Sequence, residues 1–326
     1  MNQTASIYQD MASRTGNSIY IGVVGPVRTG KSTFIKRFME TQVIPNISNE
    51  YRRDRAKDEL PQSGSGRTIM TAEPKFVPEE AVELRLEDGA SFSVRLIDCV
   101  GYMVPGAVGQ FEDLAPRMVM TPWFDHEIPM PEAAEIGTRK VIAEHSTIGI
   151  VVTTDGSIGD IPREAYADAE ERIVRELQEI HKPFCLLLNT TDPRTEDAEA
   201  LRAELEEKYG VTCLAVNCQT IRKEEIEEIL TAVLYEFPVK EYRFTLPQWI
   251  TMLQPDHPLQ AAIYQSIFTT CEKIRRMRDA KEEILTLSGQ GEIEQAVLNQ
   301  LNPNDGTIFV SIAVPQMLYY KMLSEQ

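Results

Sequence analysis

The run Gly25-Pro26-Val27-Arg28-Thr29-Gly30-Lys31-Ser32 constrains this chain more than any other stretch. It fits G-x-x-x-x-G-K-[ST], lies after the apolar segment 19–24, and precedes an amphipathic segment, Thr33 to Glu40. Strand, glycine loop and helix in that order turn a pattern into a mechanism. The backbone of Gly25, Val27, Arg28, Thr29 and Gly30 curls around a polyphosphate, and the new helix, with Thr33 in its first turn, offers its positive end. Lys31 is placed to reach the β/γ-phosphates, and the Ser32 hydroxyl to ligate Mg²⁺. Arg28, inside the loop, either supplies a fixed positive charge to the phosphates or points into solvent.

A second pattern, Asp98-Cys99-Val100-Gly101, closes an apolar strand downstream. After a phosphate loop, such a D-x-x-G places a carboxylate to hold Mg²⁺ through water and a glycine N–H to sense the γ-phosphate. The metal set read from the residues is therefore Ser32, Asp98 and a loop hydroxyl, with Thr71 preferred over Thr68. Tyr102 stands where many regulatory GTPases carry a water-orienting Gln. Base choice is level. The place of the guanine-reading N-K-x-D holds Asn189-Thr190-Thr191-Asp192, so Asn189 and Asp192 are present and the Lys is not.

Strands are expected at Ser18–Val24, Ser91–Ile97, Thr147–Thr153, Phe184–Leu188 and Val211–Val216. A hairpin partner, Ala81–Leu86, is joined through an Asp-Gly turn. Helices are expected at Glu132–His145, Arg163–Ile180, Glu196–Tyr209 (stopped by Gly210) and Glu224–Tyr235. Alternating strands and helices give an α/β fold with a mostly parallel sheet and one antiparallel strand. Residues 1–17 read as a polar leader, 18–238 as the nucleotide-binding domain, and 239–326 as the start of a second, partial α/β domain. That last part shows one long helix, Ala261–Leu287, and a late strand, Ile308–Val314, with little β-rich material for a core. Asn46–Pro78 and Tyr102–Pro131 read as irregular, the former where switch loops lie.

The balance of 33 basic against 50 acidic residues gives a net charge of −17. Such a chain is not expected to bind nucleic acid over a broad face, nor to reach an anionic membrane except indirectly. Its five cysteines form no C-x-x-C pair and read as small core residues of a reducing compartment. No apolar run approaches 18 residues, so neither a membrane span nor a signal peptide is expected, and a cytoplasmic location is.

Several segments are specific beyond the phosphate loop: 20–36, Pro45–Glu50, Asp58–Ser63, Thr68–Thr71, Glu73–Pro78, Glu135–Ile142 and Glu144–Gly149. Through them the chain resembles the stage IV sporulation protein A family over roughly its first three quarters. The resemblance implies the fold of translation-factor-type GTPases put to use as an ATPase. It implies ATP and Mg²⁺ as ligands, and hydrolysis that drives self-association into a polymer under the spore coat, on the mother-cell side of the forespore surface. It implies two partners, stage V sporulation protein M (an amphipathic membrane peptide) and stage VI sporulation protein D. Lys31 and Ser32 then bind phosphate and magnesium, Asp98 is the metal-linked carboxylate, and Thr71 falls at the family's threonine sensor. Two departures stand out. Ala72 replaces a second threonine, and family members continue well beyond this length. Against the ATPase stand a GTP switch that recruits partners without polymerising, supported by Asn189 with Asp192, and a nucleotide-binding scaffold with negligible turnover, supported by Tyr102 and Ala72.

Overall fold

The computed structural model of the chain describes residues 3–61, 74–85, 91–107, 111–112, 115–254 and 256–324. Two compact units result, Met1–Val233 and Leu234–Gln326.

In the first unit the chain forms β1 (Ser18–Val24), β2 (Lys75–Arg85), β3 (Ser91–Asp98), a short ribbon of β4 (Phe111–Glu112) and β5 (Ala115–Pro116), and a hairpin of β6 (Met118–Thr121) and β7 (Phe124–Pro129). It continues with β8 (Ile148–Thr154), β9 (Phe184–Asn189) and β10 (Cys213–Val216). Six of these make one sheet in the order β10-β9-β8-β1-β3-β2. Every pairing in it is parallel except β2 with β3. β8 and β9 are buried at every residue, as strands covered on both faces must be. The register Val23↔Asp98 brings the end of β1, where the glycine loop starts, beside the end of β3.

The helices are α1 (Gln3–Thr15), α2 (Lys31–Phe38), α3 (Glu50–Asp58), α4 (Met130–Lys140), α5 (Ala167–Glu179), α6 (Glu196–Tyr209) and α7 (Lys223–Tyr235). α5 shows why such segments fold this way. Ala169, Ile173, Val174 and Leu177 recur at helical spacing and are all buried. α6 is capped by the Thr195 hydroxyl, which accepts from Ala198 N at 3.2 Å, and stops at Gly210 (φ 58°).

Three expectations are corrected here. Residues 1–17 are not a leader without structure: α1 buries Tyr8, Met11 and Ala12, and the Tyr8 ring stacks on Phe92 at 5.5 Å. Among the described side chains of this polar helix these positions face the core, too few to show a period. The stretch Asn46–Pro78 contains α3, whose cap is the Asn49 side chain accepting from Arg52 N at 3.0 Å, and Tyr102–Pro131 contains the β6–β7 hairpin. The Asp-Gly turn, residues 87–90, lies outside the described residues.

The second unit adds β11 (Glu241–Thr245), α8 (Gln248–Thr251), α9 (Pro258–Lys273), α10 (Ala280–Thr286), β12 (Gln295–Asn302), β13 (Thr307–Ala313) and α11 (Gln316–Ser324). Its strands form a sheet of their own, β11-β13-β12, around a core that includes Ile263, Ile284, Ile308 and Val310. The tail is thus richer in strand than its composition suggests. The single helix Ala261–Leu287 is two helices. The chain turns extended at Ile274, and the Asp279 carboxylate accepts from Arg276 N at 2.9 Å to start the next turn. Arg276 also donates to the buried Glu236 at 2.6 Å, which a continuous helix would not allow for.

Candidate functional site

The chemistry gathers where β1 and β3 end side by side. Lys31 opens α2 and is buried, and its Nζ donates to Pro26 O at 2.6 Å across the loop it closes. Thr29 Oγ1 donates to the same carbonyl at 3.0 Å, and Val27 N donates to Tyr102 O at 2.9 Å. The loop is therefore shaped by its own polar groups, with a cation at its centre. Burial lowers the Lys31 pKa, while Cys99 and Asp98 nearby act to raise it.

Two glycines define the cradle. Gly30 has φ 96°, and a Cβ there would meet Asn189 Nδ2 at 2.2 Å. Gly101 has φ 91°, and a Cβ there would lie 2.1 Å from Gly25 O and 2.7 Å from Lys31 Nζ. Only glycine lets the backbone pass this close to Asn189 at the first position and to Gly25 O and Lys31 Nζ at the second. Arg28 is the loop's unusual residue. It holds φ 65° without being glycine, a conformation costing about 1–3 kcal/mol that clusters at functional sites. Its guanidinium interacts electrostatically with Tyr166, and burial lowers its pKa.

Beside Lys31, Ser32 Oγ donates to Asp98 Oδ2 at 2.6 Å. Asp98 Oδ1 is buried with no hydrogen-bond partner among the described residues. Burial raises the Asp98 pKa, and the Ser32 bond and Lys31 oppose the rise without cancelling it. A hydroxyl and a carboxylate with one unanswered oxygen suit a hydrated Mg²⁺, which binds through one or two protein oxygens and keeps its waters. Thr68, Thr71 and Ala72 lie outside the described residues. Thr33 sits half-buried in the first turn of α2.

On the base side, Asn189 and Asp192 both make bonds within the protein. Asn189 is buried and bridges two loops: its Nδ2 donates to Thr29 O at 2.9 Å, and its Oδ1 accepts from Cys218 N at 3.0 Å. It supports the phosphate loop from behind. Asp192 is exposed, and its Oδ1 accepts from Arg194 N at 3.1 Å in the turn leading to α6. Thr190, where the guanine-reading motif has Lys, is buried.

Sequence reasoning missed three things. Asn217 Oδ1 accepts from Gln219 N at 3.0 Å while its Nδ2 donates to Thr191 O at 2.9 Å, tying the two base-side loops together. Asp155 Oδ1 accepts from Ser157 N at 2.9 Å and from Ser157 Oγ at 2.7 Å, and Ser157 Oγ accepts from Thr191 N at 3.0 Å. Burial pushes the Asp155 pKa up, but its hydrogen bonds with Thr190, Ser157 and Thr154 outweigh that and hold it low. Behind them, the fully buried Glu170 takes both Arg163 nitrogens (2.7 and 2.9 Å), Tyr209 OH at 2.8 Å and the Thr153 hydroxyl. An Asx turn such as Asp155-Gly156-Ser157 was a findable signal. Nothing in the spacing of Glu170 announces its partners.

Four cysteines, Cys99, Cys185, Cys213 and Cys218, are free and buried, as core residues are. Burial pushes the Cys99 thiol up to about 11. Among the described residues, no helix is long and apolar enough to cross a membrane.

Comparison with known proteins matches residues 1–238 to the family described as stage IV sporulation protein A, ATPase domain. Residues 239–326 match the family described as stage IV sporulation protein A, middle domain. The chain is 48% identical over 323 residues to the stage IV sporulation protein A of Bacillus anthracis, covering 99% of this chain and 66% of that protein. The same identity and coverage hold for the protein of that name from Bacillus subtilis (strain 168). The one from Clostridioides difficile (strain 630) is 47% identical over 321 residues, 98% of this chain and 65% of that protein. The chain thus spans just under two thirds of the length of the curated relatives it matches.

Proposed function

Since the chain belongs to the stage IV sporulation protein A family, we propose that it is a Mg²⁺-dependent ATPase whose nucleotide cycle drives self-assembly at the base of the spore coat. The observation that carries the reading is the buried Lys31, closing its glycine loop beside the Ser32–Asp98 pair. Lys31 and the loop N–H groups neutralise charge developing on the γ-phosphoryl group as its bond to the bridging oxygen breaks and water adds. Ser32 and Asp98 would hold the metal, which would supply positive charge to offset that of the phosphates. Gly101 N–H reads the γ-phosphate, and Thr71 is the hydroxyl sensor.

Adenine fits the base side better than guanine. A carboxylate reading guanine uses both oxygens on the base, whereas Asp192 closes its own turn, and Asn189 is committed to Thr29 and Cys218. The antiparallel β2 at the sheet edge, with the glycine loop and Asp98 on adjacent strand ends, supports the translation-factor type of P-loop fold. Polymer formation, the two sporulation partners M and D, and a place on the mother-cell side of the forespore surface belong to the same proposal and rest on the resemblance. Phosphate release from ATP and GTP, measured side by side with Lys31→Ala as control, is the test. Lys31-dependent turnover that prefers ATP is expected. Preference for GTP, or tight binding without turnover, overturns the ATPase.

A further inference from the structure

Tyr102 was notable in the sequence for what it is not: a glutamine. Its surroundings give it a different task. It is 2% exposed and follows Gly101 directly. Its backbone pairs with Pro26 in an isolated parallel bridge, and its carbonyl takes the Val27 N–H at 2.9 Å, so it is stitched to the phosphate loop. Its ring reaches the other way. The phenol O–H donates to Glu176 Oε2 on α5 at 2.5 Å, and the Arg172 guanidinium lies 4.7 Å from the ring centroid. Glu176 is also held by Arg139 of α4 at 3.2 Å and by Arg172 at 3.5 Å, and Arg172 makes a two-pronged pair with Glu135 of α4 at 2.9 and 2.8 Å. One side chain thus links the glycine that faces the lysine to an ion-pair lattice joining α4 and α5.

We infer that Tyr102 is a positioning residue: through its bond to Glu176 it fixes the Gly101 N–H against the γ-phosphate position and couples occupancy of that position to the α4–α5 face. The inference rests on the proposed function only in taking the glycine loop to hold a nucleotide. The geometry supports the coupling because the Gly101 backbone runs close to the phosphate loop, where a Cβ would lie 2.1 Å from Gly25 O, and the next residue, Tyr102, is bonded to that loop through its own carbonyl. A buried phenol bonded to a carboxylate has one low-energy position, and the bond to a charged acceptor is among the stronger hydrogen bonds.

The test uses the whole chain and two probes, β,γ-imido-ATP and ADP, each with Mg²⁺, titrated calorimetrically. Tyr102→Phe keeps the ring and its packing and removes only the donor. It is expected to weaken the triphosphate analogue about tenfold while ADP changes by less than about twofold. Glu176→Ala, which removes the ion pairs with Arg139 and Arg172 as well, is expected to weaken the analogue at least as much, and the double variant to discriminate no worse than Glu176→Ala alone, because the Tyr102–Glu176 bond is already lost in it. Glu176→Gln, which keeps an acceptor for the phenol, is expected to restore most of the discrimination. Equal weakening of both nucleotides, an additive double variant, or unchanged affinities in a folded Tyr102→Phe protein would each overturn the inference. Turnover is read separately. Discrimination that depends on Tyr102, in a chain that does not hydrolyse ATP, overturns the ATPase and supports the positioning role. Lys31-dependent hydrolysis with discrimination indifferent to Tyr102 does the reverse, and a chain that binds neither nucleotide overturns both.

Discussion

At the phosphate end of the site, Lys31, Thr29 and Val27 all bond to backbone carbonyls that shape one loop, leaving a buried cation beside a carboxylate with an unanswered oxygen. At the base end, Asp192, Asn217 and Asp155 bond to N–H groups two or three residues onward, each closing a turn of its own. The first arrangement leaves one buried carboxylate oxygen without a partner among the described residues. The second is complete as it stands. On the proposed function, phosphate recognition is therefore built by strain and burial, and base recognition by whatever the local turns leave exposed. Asn189 joins the two, one amide atom on each side.

Breaking the phosphate end should cost most. Lys31→Ala removes the buried cation that closes the loop. Phosphate release from ATP is expected to fall about 10²–10³-fold, the size seen when one preorganised electrostatic donor is lost. Asn189→Ala tests the joint. It strips a buried carbonyl and a buried N–H of their partners, at about 1–3 kcal/mol each. Chemical denaturation should show a loss of that order, with weaker nucleotide binding alongside. A loss confined to binding, with stability unchanged, would make Asn189 a base-reading residue after all.

How much of this the sequence disclosed follows the same division. The glycine loop, Asp98 and the alternation of strands and helices were legible because backbone geometry demands glycine at Gly30 and Gly101, and burial demands apolar runs such as Ile148–Thr154. The role of Asn189 was not. A motif position names a residue type, and the same amide serves a base or a loop depending on what tertiary packing brings to it. α1 escaped because Tyr8, Met11 and Ala12 are too few buried positions to mark a period, and the sheet of the second unit because Gln295–Asn302 alternates too weakly to stand out. Tyr102 was read by analogy with another family's residue, while its partner Glu176 lies 74 positions away.

A smaller effect, on stability, sharpens the phosphate end further. Burial raises the Asp98 pKa above its unfolded value, so the folded chain holds that proton longer than the unfolded chain does. Stability from this group is present at acidic pH and is lost as pH rises from the ordinary carboxylate range through the raised value. Asp98→Asn cannot lose it. Without nucleotide or metal, the variant's Tm should match wild type near pH 4 and exceed it at neutral pH, although its turnover falls. A Tm advantage that shrinks as pH rises would mean that Lys31 and Ser32 outweigh burial at this carboxylate.

The smallest effect is expected from the residue that family-level motif reading would rank highest at the base end. Asp192→Ala removes a carboxylate whose visible work is to accept from Arg194 N in the turn before α6. Loss of such a local hydrogen bond costs about 0.5–1.5 kcal/mol of stability, and no hydrogen bond among the described residues joins the Asp192 carboxylate to Lys31 or Asp98. ATP turnover should stay within about twofold of wild type, with the ATP-to-GTP preference unchanged. A tenfold shift in that preference is about 1.4 kcal/mol, more than an exposed carboxylate already serving its own turn should supply. Such a shift would show that nucleotide binding reorganises the base end, erasing the contrast with the phosphate end, whose geometry is already built.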